Sequence, residues 1–473
     1  MLRGAIPCIV VLCALQLLGQ SHAGADSPRR LSKLTVVATD ANGNAVTDLR
    51  LDELKLREDG ETRPITFFRF AGSPHALASH GPADFANRPA PPPPLVILLD
   101  SWDDGFLDDA RGWLELSAAV QRLESAENVY VYFLTSLGEM IPVRPLPGPG
   151  VDSQPAADSS PAELHARLDE AVQRSRGLRS RDDIYKRAAN TLGDLEALLR
   201  QLSLIAGRKN LMWVTQGIPL RVRTPDGVTD LGPQMRKLGE MAARSQIAIY
   251  TEDESEAGGV SITLQIFPQL TGGRSYPRDH SDRAIADALT DSRASYQIAY
   301  PSAAPEKDGR EHKIHLDTTR KGVHLLTREE SVDLVPEPAP DQIEVADLSI
   351  ARRSPFGAAD VGLRVALSRR PVPSPVHFDI YVDPADLLIE RSGEQYRATV
   401  DVLVALYGEG FLTDGPPPTR VDLTLTQAQL DQARKNGILV PFDVPVSDQI
   451  QKARVMVFDP RLQALGSVTM AIQ

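Results

Sequence analysis

The residues of this 473-residue chain whose types could do chemistry cluster first at Asp100. Asp100, Asp103, Asp104, Asp108 and Asp109 place five carboxylates within ten positions, beside Ser101 and Trp102. Oxygen donors of this kind suit a hard cation such as Mg²⁺ or Ca²⁺, so Asp100, Ser101, Asp103 and Asp104 are the candidate metal ligands. The competing reading is local. Asp103 or Asp104 caps a helix whose first turn favours Asp108 and Asp109. That reading is preferred, because a cation loop needs carboxylates spaced to converge on one point. Trp102 is the apolar residue of this acidic loop. Exposed, it makes Trp102, Asp103 and Asp104 candidate protein-binding residues; packed under the loop, it is ordinary core.

Other constellations carry less. There is no G-x-S-x-G elbow, no GxxxxGK[ST] phosphate loop and no HExxH, so no catalytic residue is assigned and a hydrolase is the least favoured reading. Thr271-Gly272-Gly273-Arg274 could cradle an anion, but it reads more simply as a tight turn. His312 and His315 stand three apart on an expected strand, face opposite sides and cannot share a metal. They read as surface histidines. Gly207-Arg208-Lys209 reads as a basic helix terminus complementing the macrodipole. A net charge of -12 repels phosphate backbones, and 5% aromatic residues leave little for base stacking, so nucleic acid is excluded as a partner.

The elements that must hold Asp100 are legible in the apolar pattern. Leu95 to Leu99 is a continuous apolar run ending at Asp100, as in a parallel strand buried on both faces. Val129 to Leu134, Leu211 to Val214, Ile247 to Tyr250 and Tyr296 to Tyr300 read likewise, with helical stripes between them. The stripe through Ile184, Ala188, Leu192, Leu195, Leu199 and Leu202 is the clearest; another, from Leu107 to Leu123, follows the acidic loop. Strands alternating with helices predict an α/β fold with a doubly wound, mainly parallel sheet over 95–335. Two further strands, His312 to Leu316 and Val323 to Leu326, read as a closing edge hairpin.

Other modules flank it. Residues 31–72 read as a small β module with turns at Asn42-Gly43 and Asp59-Gly60. Residues 73–94 form a Pro-rich linker ending in a semi-rigid polyproline run. Residues 341–473 alternate as a C-terminal β-sandwich, with a short helix over Gln427 to Lys435. At the amino end, Arg3, the apolar run IPCIVVLCALQLLG and Ser21-His22-Ala23 read as a secretory signal peptide, 1–23, in preference to a membrane anchor. Both cysteines, Cys8 and Cys13, lie inside it. The mature chain then begins near Gly24, is secreted or periplasmic, has no membrane span and offers no thiolate.

The ordered landmarks resemble the von Willebrand factor A-related proteins of the acidobacterial type. The run TDANGNAVTDLRLDELKLREDGETRPITFF resembles the segment that opens those proteins. ILLDS, AGRKNLMWVTQG at 206–217, AARSQIAIY at 242–250, LTGGRSY at 270–276 and SYQIAYP at 295–301 follow in the family's order. The resemblance covers roughly residues 34 to 330 and implies a von Willebrand A-like domain. In that family a cation sits on Asp-x-Ser-x-Ser above the first strand, with a Thr and an Asp from later loops. Asp100 matches the leading aspartate, whereas Trp102 and Asp104 replace both serines, and Gln216 in Thr215-Gln216-Gly217 replaces the later aspartate. Thr135 is a candidate for the middle threonine.

The resemblance therefore implies a degraded metal site, with no cofactor, no tight Mg²⁺ binding and at most roughly millimolar Ca²⁺. The expected function is that of an exported, non-enzymatic protein that recognises a protein partner at the sheet's carboxyl edge. The alternative is metal-dependent adhesion through the acidic loop.

Overall fold

A computed structural model of the chain describes residues 31–472 apart from 72–76, 78–83, 89–92, 102–127, 136, 152–160, 177–183, 225, 254–261, 279, 303–309, 333–347, 369–374, 410 and 414. The expected signal peptide, Trp102, Asp103, Asp104, Asp108, Asp109 and the helix expected at 107–123 lie outside the described residues.

Five short strands come first: β1 (Leu31–Asp40), β2 (Leu54–Glu58), β3 (Glu61–Arg63), β4 (Phe67–Phe70) and β5 (Asp84–Ala86). β2 alternates buried and exposed residues, as a half-buried strand must. Asp59 and Gly60 adopt φ of 52° and 84°, the left-handed pair that closes a tight hairpin between β2 and β3. The Asn42-Gly43 turn also forms, with Asp40 Oδ1 accepting from the amides of Asn42 and Asn44. Beyond it, however, only a single bridge, Thr39 to Ala45, follows among the described residues.

The long apolar runs form one six-stranded sheet. Its members are β6 (Leu95–Asp100), β7 (Val129–Leu134), β8 (Met140–Arg144), β9 (Lys209–Thr215), β12 (Ile247–Asp253) and β13 (Ser275–Pro277). β10 (Arg221–Thr224) and β11 (Gly227–Asp230) make a separate hairpin. The order across the sheet is β13-β12-β9-β6-β7-β8, and every neighbouring pair is parallel except β7 with β8.

Helices cover both faces, which is why β6, β7, β9 and β12 are buried at every position. α1 (Pro161–Arg176) and α5 (Ser281–Arg293) bring Leu164, Leu168, Ala284 and Ile285 against Leu99, Met212 and Tyr250. On the other face α2 (Ile184–Ser203), α3 (Gly232–Arg244) and α4 (Ile262–Thr271) pack Leu195, Met235, Leu238 and Phe267 on Leu98, Trp213 and Ile249. The chain runs from β6 to β7 and β8 on one side, then returns to β9 on the other. The crevice at the carboxyl ends of β6 and β9 is therefore the point where strand order reverses.

The expected separation of 31–72 from the α/β part does not hold. β14 (Ser295–Pro301) lies between β1 and β4, antiparallel to both. β15 (Glu311–Thr318) pairs with β2 and with β17 (Glu330–Val332), and β16 (Val323–Leu326) pairs with β1. Two four-stranded sheets thus form from both flanks of the α/β segment and enclose Leu34, Val36, Leu54, Leu56, Tyr296 and Ile314. The expected edge hairpin of 312–316 with 323–326 is likewise replaced by strands in two different sheets. Alternation tells which face of a strand is buried but not which strand lies beside it, so these partners were not readable locally.

Nor is 73–94 only a spacer. β5 pairs with β18 (Leu363–Ser368) in a sheet completed by β19 (Val376–Val382) and β24 (Ile438–Val444). Asp84 binds Arg364 at 3.0 Å, and the Arg364 guanidinium stacks 3.6 Å from the Tyr381 ring centroid. The facing sheet holds β20 (Glu390–Ser392), β21 (Gln395–Gly408), β22 (Phe411–Thr413), β23 (Thr419–Thr426), β25 (Ile450–Asp459) and β26 (Ala464–Ala471). α6 (Gln427–Asn436) connects the two sheets and starts with a capping box, Thr426 with Gln429.

Buried Asp386 joins this sandwich to the earlier strands, since it accepts from Arg69 at 3.0 Å and meets Arg88 at 2.8 Å. The chain is thus a mixed α/β protein rich in strands.

Candidate functional site

Asp100 ends β6 at the reversal crevice, where burial and neighbours decide its chemistry. It is 1% exposed. Its Oδ2 accepts from Thr215 Oγ1 at 3.0 Å and from Trp213 Nε1 at 3.2 Å, both on the adjacent β9. Burial pushes the carboxyl up to about 7, against the opposing pull of those two donors and of Arg187. Thr215 Oγ1 also accepts from the amide of Gly217, which takes φ 87° and so turns the chain away from the strand. Gln216, between them, is half-buried.

The two hydroxyls that sequence brings near Asp100 are committed to the scaffold. Ser101 donates from Oγ to Leu134 O at 2.9 Å and lies 3.2 Å from Ser175 Oγ, joining β6 to β7 and α1. Thr135 closes the turn into β8, with its Oγ1 accepting from the Glu139 amide at 3.0 Å. The fold brings Asp100, Ser101, Thr135 and Thr215 to one sheet edge; Trp102, Asp103 and Asp104 lie outside the described residues. Among the described residues no three His, Cys, Asp or Glu side chains converge as metal ligands. Asp100 Oδ2 is taken by the Trp213 and Thr215 donors, and the two hydroxyl positions expected of such a site hold Trp102 and Asp104, so the donor set lacks the hydroxyl oxygens that an octahedral Mg²⁺ cage uses.

Two charged residues of this neighbourhood were not singled out by sequence reasoning. Asp194, on α2, raises the Asp100 pKa by its charge, and burial raises its own. Its Oδ2 is buried with no hydrogen-bond partner among the described residues. Arg187, seven residues earlier on the same helix, acts on Asp100 in the opposite sense. Their spacing of seven, two turns on one helical face, was the signal available. Glu252, fully buried at the end of β12, is a third charged residue, one with no sequence signal. Its oxygens accept from the His280 amide at 2.8 Å and Ser281 Oγ at 2.6 Å, placing a carboxylate at the start of α5.

The rim of this end is apolar in part. Leu137 is 41% exposed, Ile184 56% and Tyr185 38%. Asn190 of α2 donates to Leu137 O, which sets the loop after β7 against the helix that carries Ile184 and Tyr185.

The remaining motifs resolve into structural roles. Gly272 takes φ 73°, and a Cβ on Gly273 would meet Ile249 O at 1.9 Å, so the Thr271–Arg274 stretch is a close-packed turn. His315 is exposed, but His312 corrects the expectation of two surface histidines: it is 7% exposed, with Nδ1 2.8 Å from Asp59 Oδ2. Lys209 Nζ donates to the carbonyls of Ile205 and Ser245, beyond the ends of α2 and α3, where a cation complements both dipoles.

No family model matches the chain, and no curated protein matches it. Thirty-three chains of solved structures do match. One is the crystal structure of the human COPII-coat protein Sec24c, 14% identical, with a TM-score of 0.28, covering 55% of this chain and 48% of that one. This chain thus spans about half the length of that structure, and a likeness so loose implies neither shared fold nor shared activity. No helix among the described residues is long and apolar enough to cross a membrane.

Proposed function

We propose that the chain is an exported, non-enzymatic binding protein of the von Willebrand factor A-related type. Its α/β part is a doubly wound, von Willebrand A-like domain with a degraded metal site, and it recognises a protein partner at the carboxyl end of the sheet. The strand order, with one antiparallel edge and helices on both faces, supports the doubly wound reading. The observation that carries the functional reading is the state of Asp100. Its Oδ2 already accepts from Trp213 and Thr215, and Trp102 and Asp104 stand where hydroxyl ligands are expected, which supports recognition here without a cation bridge. Exposed Leu137, Ile184 and Tyr185 at the same end of the sheet supply apolar contact area instead.

The test is capture of partners from the envelope fraction of the source organism in the presence of EDTA. The native protein is expected to retain a partner, and a double variant, Ile184→Asp with Tyr185→Asp, is expected to lose at least about tenfold of it, as loss of contacts at a hot spot does. Both side chains are exposed, so melting should barely change. Undiminished capture by the double variant would place the recognition surface elsewhere.

A further inference from the structure

A cavity of about 360 Å³ lies at the opposite end of the sheet, where three parts of the chain meet. One wall is β1 with β14, another the segment after α2 with the end of α3, and the third residues 350–358 and 458–467. That volume lies within the range of small-molecule sites.

Its charged lining is unbalanced. The two carboxylates on the wall already have donors of their own. Glu240 accepts from Arg244 at 2.8 Å; Asp360 accepts from Gln297 at 3.1 Å and lies 3.5 Å from Arg69. Two guanidiniums on the wall have no carboxylate acceptor among the described residues. Arg208 is 6% exposed; its Nη2 donates to Tyr250 Oη at 3.2 Å, and its buried Nε has no acceptor. The acid behind Tyr250, Asp291, is already bound by Arg274 at 3.2 Å. Arg328 donates from Nη2 to Ser32 Oγ at 3.0 Å and Lys33 O at 3.3 Å, and its Nε is also buried without an acceptor. Each guanidinium thus brings to the wall a positive charge that no described carboxylate neutralises, and a bound anion would supply the counter-charge. Leu31, Phe67, Phe356 and Phe458 make the rest of the wall apolar.

We infer that this cavity binds a small organic anion, with a carboxylate or phosphate head group against Arg208 and Arg328 and an apolar body along Phe67, Phe356 and Phe458. Guanidinium forks match the planar oxygen pairs of such head groups, and the aromatic walls exclude water around them. The site is independent of the recognition face, being at the other end of the strands. Because its walls come from three parts of the chain, an occupant would also hold them together.

Titration calorimetry on the full chain tests this with octanoate, octyl phosphate, octanol and inorganic phosphate as probes. At least one amphiphilic anion is expected to bind at one site per chain, at least tenfold more tightly than octanol and than inorganic phosphate. The preference between octanoate and octyl phosphate identifies the head group. Arg208→Gln and Arg328→Gln should each weaken the binding by tenfold or more. Half-buried Arg328 decides the matter if Arg208→Gln does not fold. No binding by either anion, equal binding of octanol, or full affinity in the folded variants would overturn the inference.

Discussion

A chain beginning at Pro92 is expected to be molten, not a folded α/β domain. Such a truncation removes β1 to β5. β14 then loses both neighbours, β15 loses β2, and β18 loses β5. The apolar side chains withdrawn from the shared core include Leu34, Val36, Leu49, Leu54 and Leu56. At about 1.5–3 kcal/mol for each buried side chain, their sum is comparable with the roughly 5–15 kcal/mol that stabilises a typical domain. Unpaired β14 and β15 would also expose sheet edges that invite aggregation. Weak near-UV circular dichroism and collapsed NMR dispersion are the expected readouts. A sharp cooperative melt from this shortened chain would mean that the sheets shared across the flanks contribute little.

Asp100→Asn is expected to stabilise the protein at pH 8 and to leave it nearly unchanged at pH 4. The carboxyl is pushed from its ordinary 3.8 to about 7 by burial, so the folded state holds its proton more tightly than the unfolded one. Its contribution is fully present below pH 3.8. It declines as pH rises from 3.8 towards 7 and stays low above that. A shift of that size corresponds to roughly 4 kcal/mol at 1.36 kcal/mol per pH unit. Asparagine is neutral throughout and keeps an oxygen that can accept from Trp213 and Thr215. Melting of the native protein and the variant in EDTA, at pH 4, 6 and 8, should therefore diverge with pH, with the variant melting several degrees higher at pH 8. A variant that melts lower at pH 8 would show that the fold depends on the ionised carboxylate.

How much was legible depends on what each pattern encodes. β6, β7, β9 and β12 were readable because strands covered on both faces appear as unbroken apolar runs, and the stripe from Ala188 to Leu202 fixed the buried face of α2. The pairing of β1 with β14 was not, because it joins residues more than 250 positions apart and leaves no local trace. The same limit hid β5, whose partner lies in the C-terminal sheet. At the site, Asp100 stood out because a charge follows five apolar residues. Asp194 and Arg187 did not, since a charge on an amphipathic helix ordinarily faces water. Only the packing of α2 on the sheet brings both charges within electrostatic reach of Asp100. The sequence makes both Arg208 and Lys209 terminal cations, whereas in the fold Lys209 serves the helix ends and Arg208 lines the cavity.

The central claim, recognition at the carboxyl edge without a cation bridge, is tested most directly by melting the full chain with and without millimolar MgCl₂, alongside Asp100→Ala. A ligand present at a hundred times its dissociation constant stabilises by about 2.7 kcal/mol, a shift that a melting curve resolves. Asp100 is buried and its Oδ2 already accepts from Trp213 and Thr215, so the melting temperature is expected to stay the same with Mg²⁺. A clear rise with Mg²⁺ that disappears in Asp100→Ala would contradict the account and establish a competent cation site in its place.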